Sequence, residues 1–223
     1  MRNDCVIEGS PAAVFIRNQQ HHNQNFDVLA VAREIKGNKN TIIDFGCGFG
    51  SLEKTILKKA RIIYAIDKSK ELIDYAKKNN NSAKVKFVNA DVLKYKIKSN
   101  SADYCIMLFS IHHTKNKLNW LNKAYSSLKN GGKLIIVERV CRNRLASLIF
   151  PLYWFMFYKR KHEWSEEMPL LFQYSSLRRD LAASNLKLHH IESLSYGDSD
   201  IFKKLLFRRQ IIVAEKVKKV FEL

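Results

Sequence analysis

Between residues 38 and 140, short apolar runs alternate with longer segments of mixed character. The runs at about residues 41–45, 61–66, 84–89, 102–109 and 132–138 have the length and composition of buried strands, and helices fill the gaps at about 50–59, 69–80 and 117–129. Such alternation predicts βαβ units and a parallel sheet whose carboxyl edge receives ligands. The carboxyl-terminal third adds a helix over Leu177 to Ser184, a strand over Leu186 to Ser195 and a final strand over Arg208 to Glu215, with Gly197-Asp198 in the turn region. Before the first strand, a helix is expected over about Ala12 to Ile35, interrupted by the polar run Asn18 to Asn25. No internal repeat longer than the βα unit is visible.

The first strand runs directly into Ile42-Ile43-Asp44-Phe45-Gly46-Cys47-Gly48-Phe49-Gly50. An apolar run that stops at Gly-x-Gly-x-Gly predicts a strand turning sharply into a helix, with backbone able to approach a ligand. Dinucleotide folds use Gly-x-Gly-x-x-Gly, so the third glycine here comes one residue early. Asp44 precedes the first glycine, and a carboxylate there suits a cationic ligand and repels a diphosphate. The motif therefore favours S-adenosylmethionine over NAD or ATP. The competing reading is a tight strand-to-helix turn without a ligand.

The strand-then-acid pattern returns twice: Ile62-Ile63-Tyr64-Ala65-Ile66 ends at Asp67, and Val85-Lys86-Phe87-Val88-Asn89-Ala90 ends at Asp91. Asp67 is placed to accept hydrogen bonds from both ribose hydroxyls, and Asp91 to accept one from an adenine amino group. Each acid by itself is compatible with a helix cap; three in register argue for a site.

With these segments in order, the chain resembles the class I S-adenosylmethionine-dependent methyltransferases, in particular the group that includes quinone-biosynthesis and other small-molecule enzymes. Ile42 to Gly50 is similar to the first motif of that family, Ile63 to Asp67 to the second and Asn89-Ala90-Asp91-Val92 to the third. Ala102 to His113 is similar to the fourth, and Leu128 to Val137, with its Gly131-Gly132 turn, to the segment feeding the fifth strand. The resemblance implies an α/β, Rossmann-like doubly wound sheet, mostly parallel with an antiparallel final strand, the seven-strand methyltransferase fold. It implies S-adenosylmethionine as cofactor, contacted by Asp44, Gly46, Cys47, Gly48, Gly50, Asp67, Lys68, Asp91, Val92 and Leu108. Cys47 reads as a small filler of the loop, since methyl transfer needs no enzyme thiol.

His112 and His113 follow the fourth strand, at the edge where a methyl group should be presented, and imidazole suits proton removal from a phenol or hydroxyl acceptor. The alternative is a structural role for the pair; Glu138, at the end of the fifth strand, is a further candidate base. His21 and His22 are expected at the surface, with an approach to substrate as the alternative.

A single domain over residues 1–223 is expected: cap helices over 1–38, a cofactor-binding half over 39–139, an insertion or lid over 140–172 and sheet closure over 173–223. The insertion carries six aromatics within Phe150 to Tyr158, flanked by Arg142, Arg144, Lys159, Arg160 and Lys161. Rings beside cations suit an anionic membrane surface contacted through residues 142–161, and equally an aromatic lid over the site. The apolar run from Leu145 to Tyr158 is too short to span a bilayer.

The net charge of +18 points to a polyanionic partner, either anionic lipid or nucleic acid. Lysines are spread along nearly every helix, however, and the fourth motif reads Leu108-Phe109-Ser110-Ile111, without the proline pair of base-amino methyltransferases. A small aromatic or lipid-linked acceptor is therefore the leading expectation, ahead of a nucleic-acid enzyme or binder and of a non-catalytic cofactor-binding regulator. The four cysteines form no Cys-x-x-Cys pair, so no metal site is expected. The amino terminus has no secretory pattern, and a cytoplasmic location is expected, with peripheral membrane contact as an option.

Overall fold

Every residue of Asn40–Phe45 (β1) after Asn40 is buried, because this strand sits mid-sheet with both faces covered. The computed structural model describes residues 24–141, Leu145, Ile149, 172–194 and 207–217. The remaining strands are Ala60–Asp67 (β2), Val85–Asn89 (β3), Ala102–Leu108 (β4), Leu128–Cys141 (β5), Phe172–Gln173 (β6), Leu186–Leu194 (β7) and Phe207–Lys216 (β8). The helices are Gln24–Glu34 (α1), Ser51–Ile56 (α2), Lys70–Asn79 (α3), Lys117–Ser127 (α4) and Tyr174–Ala183 (α5).

The strand order is β3-β2-β1-β4-β5-β8-β7. Strands β1 to β5 pair in parallel, whereas β8 is antiparallel to both β5 and β7. This is the expected sheet, with two-residue β6 added as a short parallel partner of β5 at Val140 and Cys141. Two residues carry no periodicity, so β6 had no sequence signal. The chain moves outward from β1 in one direction and resumes at β4 on the other side, so the carboxyl ends of β1 and β4 flank the reversal point where open α/β sheets bind ligands.

Apolar side chains pack on both sheet faces. Leu121 and Ala124 of α4 and Leu177 and Leu181 of α5 join Ile43, Met107, Leu134 and Ile136 on one face. Val28 and Val31 of α1 and Leu52 and Ile56 of α2 join Ile42, Ile106, Ile135 and Val213 on the other. Across the second layer, Arg209 of β8 reaches Asp27 of α1 at 3.1 Å, and both side chains are buried. Helix α3 starts at Ser69, whose hydroxyl accepts from Leu72 N–H at 3.3 Å.

The boundaries differ from expectation in several places: α1 already includes Gln24 and Asn25 of the polar run expected to interrupt it, and the helix expected over 50–59 ends at Ile56, followed by a 3-10 turn over Leu57–Lys59. Helix α4 ends at Ser127 and β5 begins at Leu128, because Leu128 already pairs with Ala102; Gly131, at φ 76°, then shifts the register so that Tyr104 faces Lys133. Strand β5 continues to Cys141 because β8 pairs with it to the end, at Phe207. Helix α5 begins three residues early, at Tyr174. Residues 1–23, Gly197-Asp198 and the aromatic segment 150–158 lie outside the described residues; of the insertion beyond Cys141, Leu145 and Ile149, both exposed, and Phe172 of β6 are described.

Candidate active site

The turn after β1 is shaped by three alternating glycines at positive φ: Gly46 at 78°, Gly48 at 56° and Gly50 at 81°. Left-handed backbone disfavours any residue with a Cβ. Space excludes one as well: a Cβ on Gly46 would stand 2.5 Å from Ser110 Cβ, and one on Gly50 would stand 3.0 Å from the Phe87 ring. Ser110, just past β4, donates to Phe45 O at 2.5 Å and so ties the loop to the neighbouring strand end. Gly46 N–H and Cys47 N–H both donate to Ile66 O, at 2.8 and 3.2 Å, which ties it to β2 on the other side.

Asp67 closes the same loop. Its Oδ2 accepts from Gly48 N–H at 2.9 Å and its Oδ1 from Ser69 N–H at 2.8 Å. Each carboxylate oxygen keeps a second lone pair for a hydroxyl donor. Asn89 donates to the carbonyls of Asp67 and Lys68, at 3.2 and 2.9 Å, so the ends of β2 and β3 are held side by side. Asp91 is exposed beyond β3, its Oδ1 capping Leu93 N–H at 2.8 Å. Val92 is buried in the core, Leu108 is half-buried at the end of β4, and Lys68 is exposed.

Asp44 behaves differently from its neighbours. It is fully buried and directed at Glu53 of α2, also fully buried. Burial raises the pKa of Asp44 well above the ordinary carboxyl range, and raises Glu53 to about 7, with the charges of the paired acid and Asp67 adding to the effect on Asp44. Asp44 is thus a deep member of an acid pair and not a carboxylate standing open in the site. Glu53 had only an ambiguous signal, since an acid in the first turn of a helix is ordinary. Cys47 is buried beside these acids, and burial first, then their charge, pushes its thiol well up, in keeping with a filler.

Across the crevice, His112 and His113 lie on a 3-10 turn, Ile111–His113, after β4, with ring centroids 4.0 Å apart. His112 Nδ1 is 2.8 Å from Glu138 Oε2, while Glu138 Oε1 accepts from Arg139 N–H at 2.9 Å. Glu138 is almost fully buried and His112 largely so, which fixes the ring orientation. Desolvation and then the neighbouring His112 lower the pKa of His113 to about 4, against the opposing charge of Glu138; Lys68 lowers it further, so the turn after β4 and the residue after β2 share one electrostatic neighbourhood.

The acids beneath the loop and the glycine-lined approach fit S-adenosylmethionine. The buried Asp44 Oδ1 has no hydrogen-bond partner, and the surrounding acids favour a cation over a pyrophosphate. Among the described residues, no group of His, Cys, Asp and Glu is arranged to hold a metal.

Residues 43–136 match the family described as Methyltransferase domain. An uncharacterised methyltransferase of Geobacillus is 26% identical over 109 residues, covering 48% of this chain and 51% of the relative. One from Bacillus anthracis is 29% identical over 101 residues, covering 44% and 47%. The chain thus spans about half the length of the curated relatives it matches. Among solved structures, a chain from the complex between the Haloferax volcanii Trm112 methyltransferase activator and a methyltransferase superposes with a TM-score of 0.75 at 14% identity, covering 92% of this chain and 94% of that one. A geranyl diphosphate C-methyltransferase from Streptomyces coelicolor, solved with S-adenosyl-L-homocysteine, gives 0.67 at 13% identity, covering 86% and 75%. Residues 43–136 thus match a methyltransferase domain, on the fold that these solved methyltransferases share.

Proposed function

We propose that this chain moves the methyl group of S-adenosylmethionine to a nucleophilic atom of a small aromatic or lipid-linked acceptor, with His112 as the base. The observation that carries this reading is the 2.8 Å contact between His112 Nδ1, in the turn after β4, and Glu138 Oε2, three residues before the end of β5. Glu138 accepts from Arg139 N–H on its other oxygen, so it acts as an acceptor toward His112 and selects the Nδ1–H tautomer. Nε2 is then left as an acceptor for an acceptor-group proton.

When bound, the cofactor supplies an electrophilic methyl on a sulfonium. The glycine loop and Asp67 would hold it, with Asp91 toward its base. The largely buried setting of His112 limits water around the proton it takes. Positioning donor and acceptor in line is the main work left to the chain.

Leu145 and Ile149 support the lipid-linked option, since they lie four residues apart in helical conformation and are both exposed. No helix among the described residues is long and apolar enough to cross a membrane. The geranyl diphosphate enzyme, which shares the fold, is named for a prenyl substrate.

Calorimetry with S-adenosylmethionine and S-adenosylhomocysteine tests the cofactor, and absence of binding by both would reject it. A screen of phenolic, amine and prenylated acceptors, read by S-adenosylhomocysteine release, then tests the acceptor class. Turnover on RNA alone, with steeply salt-dependent binding, would instead support the reading suggested by the +18 charge.

A further inference from the structure

Asp44 and Glu53 come from different elements, the end of β1 and the first turn of α2, and meet beneath the glycine loop with no exposure to solvent. Asp44 Oδ1 and both carboxyl oxygens of Glu53 lack any hydrogen-bond donor. Two buried carboxylates with three of their four oxygens lacking a donor are a costly arrangement, since each loses its hydration and repels the other. One proton held between the pair removes most of that cost, as one carboxyl then donates to its neighbour.

We propose that Asp44 and Glu53 share one proton in the cofactor-free protein and release it to solvent when a cationic cofactor binds, so that the pair favours the sulfonium donor over the neutral-sulfur product. The proposal rests on the cofactor reading above. Its chemistry balances without a co-reactant: the O–H bond of the shared proton breaks, water takes the proton, and the negative charge left behind lies beneath the loop that would hold the ligand's positive charge. The titratable group acting on the pair is Asp67 from β2, and the pair in turn acts on Cys47 in the loop. Asp67 is acidic, and the thiol of Cys47 is pushed up and stays neutral, so neither supplies a compensating cation. The cation must come from the ligand.

S-adenosylmethionine brings a sulfonium and an ammonium, whereas S-adenosylhomocysteine brings the ammonium alone. Opposite charge near a buried acid favours its ionised form. Donor binding should therefore expel more of the proton than product binding, and loss of the sulfonium charge on methyl transfer should favour proton return and product release. Glu53 acts here as a positioning and charge-setting residue, through its effect on Asp44.

The test is titration calorimetry of both ligands between about pH 5.5 and pH 7, below the range where the ligands' own amino group titrates, in two buffers of different ionisation enthalpy. The expected result is proton release on donor binding, smaller release on product binding, and donor affinity rising with pH toward a limit of about tenfold per unit. Glu53→Gln keeps the shape and removes the ionisation; it should bind the donor with little pH dependence and bind donor and product more nearly alike. No proton exchange by the unmodified protein, or undiminished release by Glu53→Gln, overturns the proposal. Should that variant fail to fold, the donor-against-product difference in the unmodified protein decides, and equal release overturns it. Failure of both ligands to bind would reject the cofactor reading itself, a result distinct from binding without a proton.

Discussion

His112 Nδ1 and Glu138 Oε2 stand 2.8 Å apart although they are separated by 26 residues in the chain. The contact joins the turn after β4 to the carboxyl-terminal part of β5, and burial of Glu138 leaves His112 one orientation. His112→Ala should lower kcat by about 10²-fold or more with little change in donor affinity. Glu138→Gln should lower it less, and the double variant should be no worse than His112→Ala, because the two act as a unit. Measured kcat values for the four proteins, together with donor affinities, decide the matter; additive losses would separate the two residues.

Asp67 anchors Gly48 and Ser69 while keeping lone pairs directed outward. Asp67→Ala should weaken S-adenosylmethionine binding by two hydrogen bonds to a charged acceptor, each worth roughly 1.5–3 kcal/mol. Calorimetry gives the affinity directly, and an unchanged value would remove Asp67 from the cofactor contacts.

Gly46 combines left-handed backbone with a Cβ position 2.5 Å from Ser110 Cβ. Gly46→Ala should therefore destabilise by about 1–2 kcal/mol for the backbone and a further ~1–3 kcal/mol for the overlap. Adding Ser110→Gly removes the overlap but not the backbone cost, so it should recover only part of the loss. Denaturant melts of the single and double variants test this partition.

The Arg209–Asp27 pair is buried on both sides. Arg209→Met leaves a carboxylate in the interior and should cost about 3–5 kcal/mol, whereas removing both charges with Asp27→Leu in addition should recover most of it. Chemical denaturation of the pair of variants reads the difference.

His113 is expected to titrate below the ordinary histidine value of 6.5, because desolvation and His112 disfavour its charged form. The sign follows: the unfolded chain takes up the proton first as pH falls, so the contribution of His113 to stability is present above about 6.5 and declines below it. An NMR titration of the His113 ring with a midpoint above that of a free imidazole would contradict this.

The three acids and the glycine spacing were legible in the sequence because each is a local event: a strand ends, the chain turns, and the residue type records the backbone it needs. Gly46, Gly48 and Gly50 do take positive φ, and Asp67 does stand beside the loop. Asp44 was legible as an acid but not as half of a buried pair, since Glu53 in a first helical turn is indistinguishable from an ordinary dipole-favouring residue. The Gly131-Gly132 turn was visible, yet its absorption into β5 was not, because the pairing of Leu128 with Ala102 is set by the neighbouring strand.

By itself, then, the sequence determined the order of strands and helices, the parallel character of the sheet and the glycine loop, all written in periodicity and turn chemistry over about ten residues at a time. Only the tertiary structure decided which side chains meet: Ser110 with Phe45 across 65 residues, Arg209 with Asp27 across 182, His112 with Glu138, and Asp44 with Glu53. Those meetings depend on strand register and on which face of each helix turns inward. Both are fixed by the burial of the whole apolar set at once, and no short stretch of chain contains that information.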